Sequence, residues 1–179
     1  VGVKERLILE YVEDYELFHI RDIKYGRMKI GQVYEFGHSI NGFYGIYDTS
    51  PELPLCDDLN HLKNVATYYW KFLRETVIEE VRLDNFSNYP SRQTCLFVTD
   101  DKHVNDWIQH LKYANIEIYK MKLSGKLHKC DATLIDIHPN NKIVVRELAE
   151  KYWGGEITQN SNKVEYLFEG KAELVEIIK

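Results

Sequence analysis

Tyr89-Pro90-Ser91-Arg92-Gln93-Thr94-Cys95-Leu96-Phe97-Val98-Thr99-Asp100 is the stretch from which the fold can be read. Its apolar run from Cys95 to Val98 is unbroken, partly β-branched and too short for a helix. Such a run predicts a strand covered on both faces in the middle of a sheet. Pro90 disfavours helical geometry at Tyr89 and closes the helical pattern before it. Ser91 and Arg92 then stand at the mouth of the strand, where a hydroxyl and a guanidinium can meet a ligand. Taken alone, the same residues also suit a breaker, a turn former and a surface charge.

On the N-terminal side, Leu59, Leu62, Ala66, Tyr69, Leu73 and Val77 follow helical spacing, widened by Val65, Phe72 and Val81. The spacing predicts the longest helix over residues 59–83. Glu79, Glu80 and Arg82 near its end could reach the cleft, although a charge cluster there is more often a solvated face, and the adjacent glutamates point to different sides of the helix. The connection TSPELPLCDD over residues 49–58 carries two prolines and ends in two acids, which suit a helix N-terminus. Five of the ten glycines fall between Gly26 and Gly45, alongside Asn41, Phe43, Tyr44 and Tyr47. Glycine permits tight turns and close approach, so this predicts a binding loop, although its spacing matches neither common phosphate-loop motif. Earlier still, Leu17-Phe18-His19-Ile20-Arg21 reads as a strand with Phe18 and Ile20 on one face and His19 and Arg21 on the other. A face carrying His and Arg is costly to bury dry, so it should look into a cleft. Residues 3–15 read as a short helix or an extended lead-in.

On the C-terminal side, residues 101–113 predict a shorter helix with Val104, Trp107, Ile108 and Leu111 inward. Residues 116–123 and 131–137 predict strands joined around Gly125. Residues 142–153 predict a third helix stopped by Gly154-Gly155. Residues 163–178 predict two strands joined around residues 169–172, with Gly170 at the turn. Helices and strands are interspersed without regular βαβ alternation, which makes the class α+β. The expected organisation is a lead-in over residues 1–16 and one domain over residues 17–179.

The 179 residues are enough for one full core, and 44% hydrophobic with 28% charged residues is ordinary for a globular chain. A net charge of -5 argues against broad, sequence-independent attraction to nucleic acid or anionic membrane. No apolar run approaches spanning length, and the first sixteen residues are too charged for a signal peptide. Cys56, Cys95 and Cys130 are odd in number and lack paired spacing, which fits a reducing cytoplasm rather than a disulfide framework. His128, Cys130 and Asp131 offer at most three metal ligands with no second pair, so no metal site is expected. There is no Gly-x-Ser-x-Gly elbow.

One ordered trio remains: His19 on an early strand, Ser91-Arg92 before a middle strand, and Glu165 opening a late one. Glu165-Tyr166-Leu167-Phe168-Glu169-Gly170-Lys171-Ala172-Glu173 and Leu17-Phe18-His19-Ile20-Arg21 resemble the late and early motifs of the ADP-ribosyltransferase superfamily, the fold of NAD-dependent toxins and related nucleic-acid-modifying enzymes. The resemblance implies a single α+β domain with a mixed, split sheet and NAD, as substrate, held between its halves. It implies that Glu165 stabilises positive charge on the ribose and that His19 holds the adenosine-side ribose. Arg21 or Arg92 would meet the pyrophosphate, Ser91 would support Glu165, and Tyr44 or Tyr47 would stack on nicotinamide. The chain departs from the family at Pro90-Ser91-Arg92, where Ser-Thr-Ser is usual. It departs again at Lys163, where arginine-modifying toxins carry Glu or Gln. Arginine is therefore not the expected acceptor, which leaves nucleic acid, another protein group, a small molecule or water. A toxin or defence role inside a cell follows from the resemblance, with a protein partner or antitoxin. The alternative is a catalytically silent module that binds a nucleotide or protein on the same cleft.

Overall fold

A computed structural model describes residues 9–49, 53 and 57–178. Cys56, most of the 49–58 connection and the first part of the 3–15 stretch lie outside the described residues. Among the described residues, five strands and four helices make a single α+β domain. The strands are β1 (Leu9–Asp22), β2 (Val33–Phe36), β3 (Leu96–Val98), β4 (Ile116–Asp131) and β5 (Val164–Ile177). The helices are α1 (Gly45–Thr49), α2 (Leu59–Asn85), α3 (Val104–Leu111) and α4 (Lys142–Trp153), with short 3-10 turns at Ile23–Tyr25 and Ala132–Leu134. No helix among the described residues is long and apolar enough to cross a membrane.

The sheet runs β1-β4-β5-β2, with β3 also paired to β5. Every described pairing is antiparallel, which corrects the expectation of a mixed, split sheet. The long strands explain the difference. β4 runs straight through Gly125 and β5 straight through Gly170, where the sequence pattern suggested breaks. The two glycines are cross-strand partners. A Cβ on Gly125 would meet the Glu169 carbonyl oxygen at 2.2 Å, and one on Gly170 would meet the Ser124 oxygen at 2.6 Å. Each has positive φ, so together they let two strands bend and touch rather than end. The strand expected over residues 131–137 is instead the 3-10 turn after β4. It forms because the Asp131 carboxylate accepts from the Thr133 and Thr158 amides and from the Thr158 and Ser161 hydroxyls. Residues 9–16 are the first half of β1, paired to β4 from Leu9↔His128 onward.

β3 sits between two strands. It pairs with β5 at Leu96↔Phe168, and Thr99 exchanges both backbone hydrogen bonds with Phe18 of β1 at 2.9 and 2.8 Å. β1, β4, β5 and β3 therefore form a ring linked by backbone hydrogen bonds. Alternation along β4 sends Tyr119, Met121, Leu123 and Leu127 to one core with Leu17, Leu96, Val98 and Phe168. Cys130 and Leu167 point the other way, into a second core with Ile78, Val81, Tyr152 and Trp153 from α2 and α4.

The helical spacings correspond to α2, α3 and α4, and the caps of α2 and α4 are visible. Asp58 caps α2 through His61 N at 2.7 Å, Asn141 caps α4 through Val144 N at 3.1 Å, and Gly154 follows the last turn of α4. The buried face of α2 is narrower than the sequence stripe. Val65, Val77, Ile78 and Val81 face the domain, whereas Leu59, at 81% exposure, and Tyr69 and Leu73 stand in solvent. The charged residues near the end of α2 are also not one solvated face. Glu79 and Arg82 are buried and paired with each other, while Glu80 turns outward to Lys142 and Arg146.

Candidate functional site

A cavity of about 750 Å³ opens between β1, β3, α3 and the loop before α1. That volume lies within the usual range for small-molecule sites. Its apolar wall includes Phe18, Phe36, Phe43, Phe97, Trp107 and Tyr113, and its ionisable groups include His19, Arg21, Arg74, Arg92, Asp136, Lys163 and Glu165. Two strands, a loop and a helix deliver five of them: β1 carries His19 and Arg21, β5 carries Glu165 at its second position, Arg92 lies in the loop before β3, and Arg74 projects from α2.

The floor is a chain of alternating charge. Arg92 Nε donates to Glu75 Oε2 at 2.9 Å, and Arg92 Nη1 donates to Glu165 Oε1 at 2.5 Å and to Tyr152 Oη at 2.6 Å. Tyr152 passes its own hydroxyl hydrogen to the same Glu165 oxygen at 2.7 Å. Glu75 Oε1 accepts from Arg74 Nη2 at 2.9 Å, Arg74 Nη1 lies 3.8 Å from Asp136 Oδ1, and Asp136 Oδ2 accepts from Lys163. Arg92 is 6% exposed and Glu165 5%, so these charges are viable only as partners. Burial alone would push the Glu75 carboxyl up, but Arg92 and Arg74 more than offset it and hold it below the ordinary range. Burial likewise opposes the charge on Arg92, and Glu75, Tyr152 and Glu165 outweigh that and raise it well above its ordinary value. The guanidinium is further boxed by the rings of Phe97, Tyr152 and Phe43 at 5.1, 5.3 and 5.4 Å.

His19 lines the cavity from β1. Its Nδ1 lies 2.9 Å from the Phe97 carbonyl oxygen, so Nδ1 carries the hydrogen and Nε2 keeps its lone pair. Burial, assisted by Arg21, outweighs that hydrogen bond and pushes the imidazole down to about 4. At neutral pH His19 is an uncharged acceptor, suited to a ligand hydroxyl.

The structure brings His19, Arg21, Arg92 and Glu165 to one cavity and leaves three other expected residues outside its lining. Ser91 donates to Glu79 Oε1 at 2.9 Å, not to Glu165. It belongs to a second buried pair, in which Arg82 holds Glu79 and the carbonyls of Ser87 and Tyr89 and so fixes the loop before β3. Tyr44 and Tyr47 face α2 rather than the cavity. Tyr47 packs against Tyr44, Tyr68 and Phe72, and it is Phe43, just before α1, and Ile46 of α1 that line the cavity. Sequence reasoning missed Arg74, Glu75 and Tyr152. A signal existed for Glu75, which lies one turn before Ile78 and one more before Arg82 on the buried side of α2. Tyr152 carried none beyond helical spacing. His128, Cys130 and Asp131 do not converge on a common point: Asp131 is fully engaged by the loop, and Cys130 Sγ contacts the Glu165 carbonyl oxygen at 3.6 Å.

Fold and site together define a single-domain α+β protein with a cavity of small-molecule size beside a buried ionic network. The chain belongs to the family described as protein of unknown function (DUF2441), whose model matches residues 17–179. No curated protein matches it.

Proposed function

We propose that the cavity binds NAD and that the protein transfers ADP-ribose from it to an acceptor other than an arginine side chain. The observation that carries this reading is the convergence of His19, Arg92 and Glu165, from three separate parts of the chain, on one cavity with an aromatic wall. In the reaction, the bond between the ribose C1′ and the nicotinamide nitrogen breaks. Its electron pair leaves with the nitrogen as neutral nicotinamide, and positive charge builds on the ribosyl group as in glycoside cleavage. An acceptor oxygen or nitrogen then bonds C1′ and gives up its proton. Both described hydrogen bonds to the Glu165 carboxylate fall on Oε1, which leaves Oε2 to face the ribose. A carboxylate fixed in this way contributes about 3 kcal/mol to such a transition state. His19 Nε2 accepts from a ribose hydroxyl. Lys163 is tied to Asp136 in the cavity wall, in keeping with an acceptor that is not arginine.

A second reading, a nucleotide- or protein-binding module without catalysis, is favoured by the ion pair that already engages Glu165. Nicotinamide release measured with NAD and a bacterial lysate separates the two. Release that is lost in Glu165→Gln supports transfer. Release unchanged in Glu165→Gln rejects the role given to that residue. No release, with saturable nucleotide binding, favours the silent module.

A further inference from the structure

The cavity holds three arginines, and their hydrogen bonds differ. Arg21 spends Nε and Nη2 on the carbonyls of Gly26 and Tyr25, at 2.6 and 2.8 Å. Arg92 makes three hydrogen bonds and is enclosed by three rings. Arg74 is buried at 9% exposure, yet it makes one hydrogen bond, to Glu75, and its Nε is buried without a partner among the described residues. Its 3.8 Å approach to Asp136 is too long for a hydrogen bond. A buried guanidinium whose Nε has no partner is costly, and an anion in the cavity would satisfy it.

We infer that Arg74 and Lys163 form the anion subsite of the cavity, which takes the diphosphate of a nucleotide, and that the Asp136 carboxylate holds this place until a phosphate displaces it. The inference rests on the NAD reading only for the dinucleotide to which that diphosphate belongs. Asp136 bridges the two cations, with Oδ1 toward Arg74 and Oδ2 on Lys163. Burial pushes its carboxyl up, but Lys163 and Arg74 hold it below the ordinary range, so it sits there as an anion. Its side chain is 44% exposed whereas that of Arg74 is 10%, so the carboxylate can turn to solvent while the guanidinium stays. A diphosphate offers each cation its own charged oxygens, and it also reaches the Arg74 donors that Asp136 does not. Arg74 is preferred here to Arg21 or Arg92, the residues implied by the resemblance, because among the described residues it commits fewer of its donors than either of them.

Calorimetric titration with ADP, and with adenosine as the phosphate-free control, tests this. ADP should bind more tightly than adenosine. Asp136→Asn should tighten ADP about tenfold, and Arg74→Gln and Lys163→Met should each weaken it about tenfold, the value of one charge-assisted hydrogen bond, with adenosine unaffected. Should Arg74→Gln not fold, Asp136→Asn and Lys163→Met, nearer the surface, carry the test. Equal affinity for ADP and adenosine overturns the subsite, as does ADP affinity indifferent to Asp136→Asn and Lys163→Met. ADP binding that follows this pattern without nicotinamide release keeps the subsite and rejects the transferase. Release with ADP affinity indifferent to these substitutions does the reverse.

Discussion

Arg92 Nη1 stands 2.5 Å from Glu165 Oε1, although 73 positions separate them along the chain. The contact joins the loop before β3 to the first turn-out of β5, and Tyr152 of α4 locks it from a third side. One guanidinium thereby neutralises two carboxylates that have almost no access to water, Glu75 and Glu165.

Arg92→Met should therefore cost about 3–5 kcal/mol in folding stability, because it strands the Glu165 carboxylate and leaves Glu75 to Arg74 alone, rather than because the pairs themselves are strong. Urea unfolding gives the number. A loss below about 1 kcal/mol would mean that water reaches Glu75 and Glu165 once the guanidinium is gone.

Ser91 makes the contrasting case. Its hydroxyl serves Glu79 and the Gln93 amide, on the far side of the loop from the cavity. Ser91→Ala should cost about 1 kcal/mol of stability and leave nucleotide affinity and any nicotinamide release at wild-type levels. A selective loss of turnover in a fully folded Ser91→Ala protein would return Ser91 to the service of Glu165.

His19 makes stability depend on mildly acid pH. Its imidazole is pushed from 6.5 to about 4 in the folded chain, so between those values the unfolded state binds the extra proton. Stability is then complete above about pH 6.5 and falls as the pH drops toward 4, by about 1–3 kcal/mol in all. His110, also lowered by burial, acts in the same direction. Comparison of unfolding free energies for wild type and His19→Gln from pH 7 to 4.5 isolates the His19 share. Parallel curves would show that His19 titrates normally.

Gly125→Ala should be among the most damaging substitutions of one methyl group. The added carbon would meet the Glu169 carbonyl oxygen at 2.2 Å and sit on a backbone with φ of +155°. The expected loss is at least about 2 kcal/mol in thermal or urea unfolding. A near-neutral result would place a turn, not a continuous strand, at this position.

Local periodicity made much of the fold legible. The lengths of α2 and α4, the strand through His19, the inward face of α3 and the α+β class all follow from spacings within a few residues, which chain geometry translates directly into faces. Gly125 and Gly170 show where that logic ends. A glycine that permits positive φ reads as a turn from its own neighbours, and only the pairing of the two across β4 and β5 reveals a shared bend. Likewise, Leu59, Tyr69 and Leu73 keep helical spacing whether or not anything covers them.

The site divides along the same line. Resemblance of short ordered motifs, rather than residue type alone, singled out His19, Ser91-Arg92 and Glu165 as groups to bring together. Which partners they meet depends on distances through space that the chain order does not encode. Tertiary packing gave Ser91 to Glu79 and turned Tyr44 and Tyr47 toward α2. It brought Arg74 from α2 into the cavity lining and set Glu75 and Tyr152, from α2 and α4, against Arg92. Charges removed from water must be neutralised within a few ångströms, and only the assembled fold sets which opposite charges lie that close.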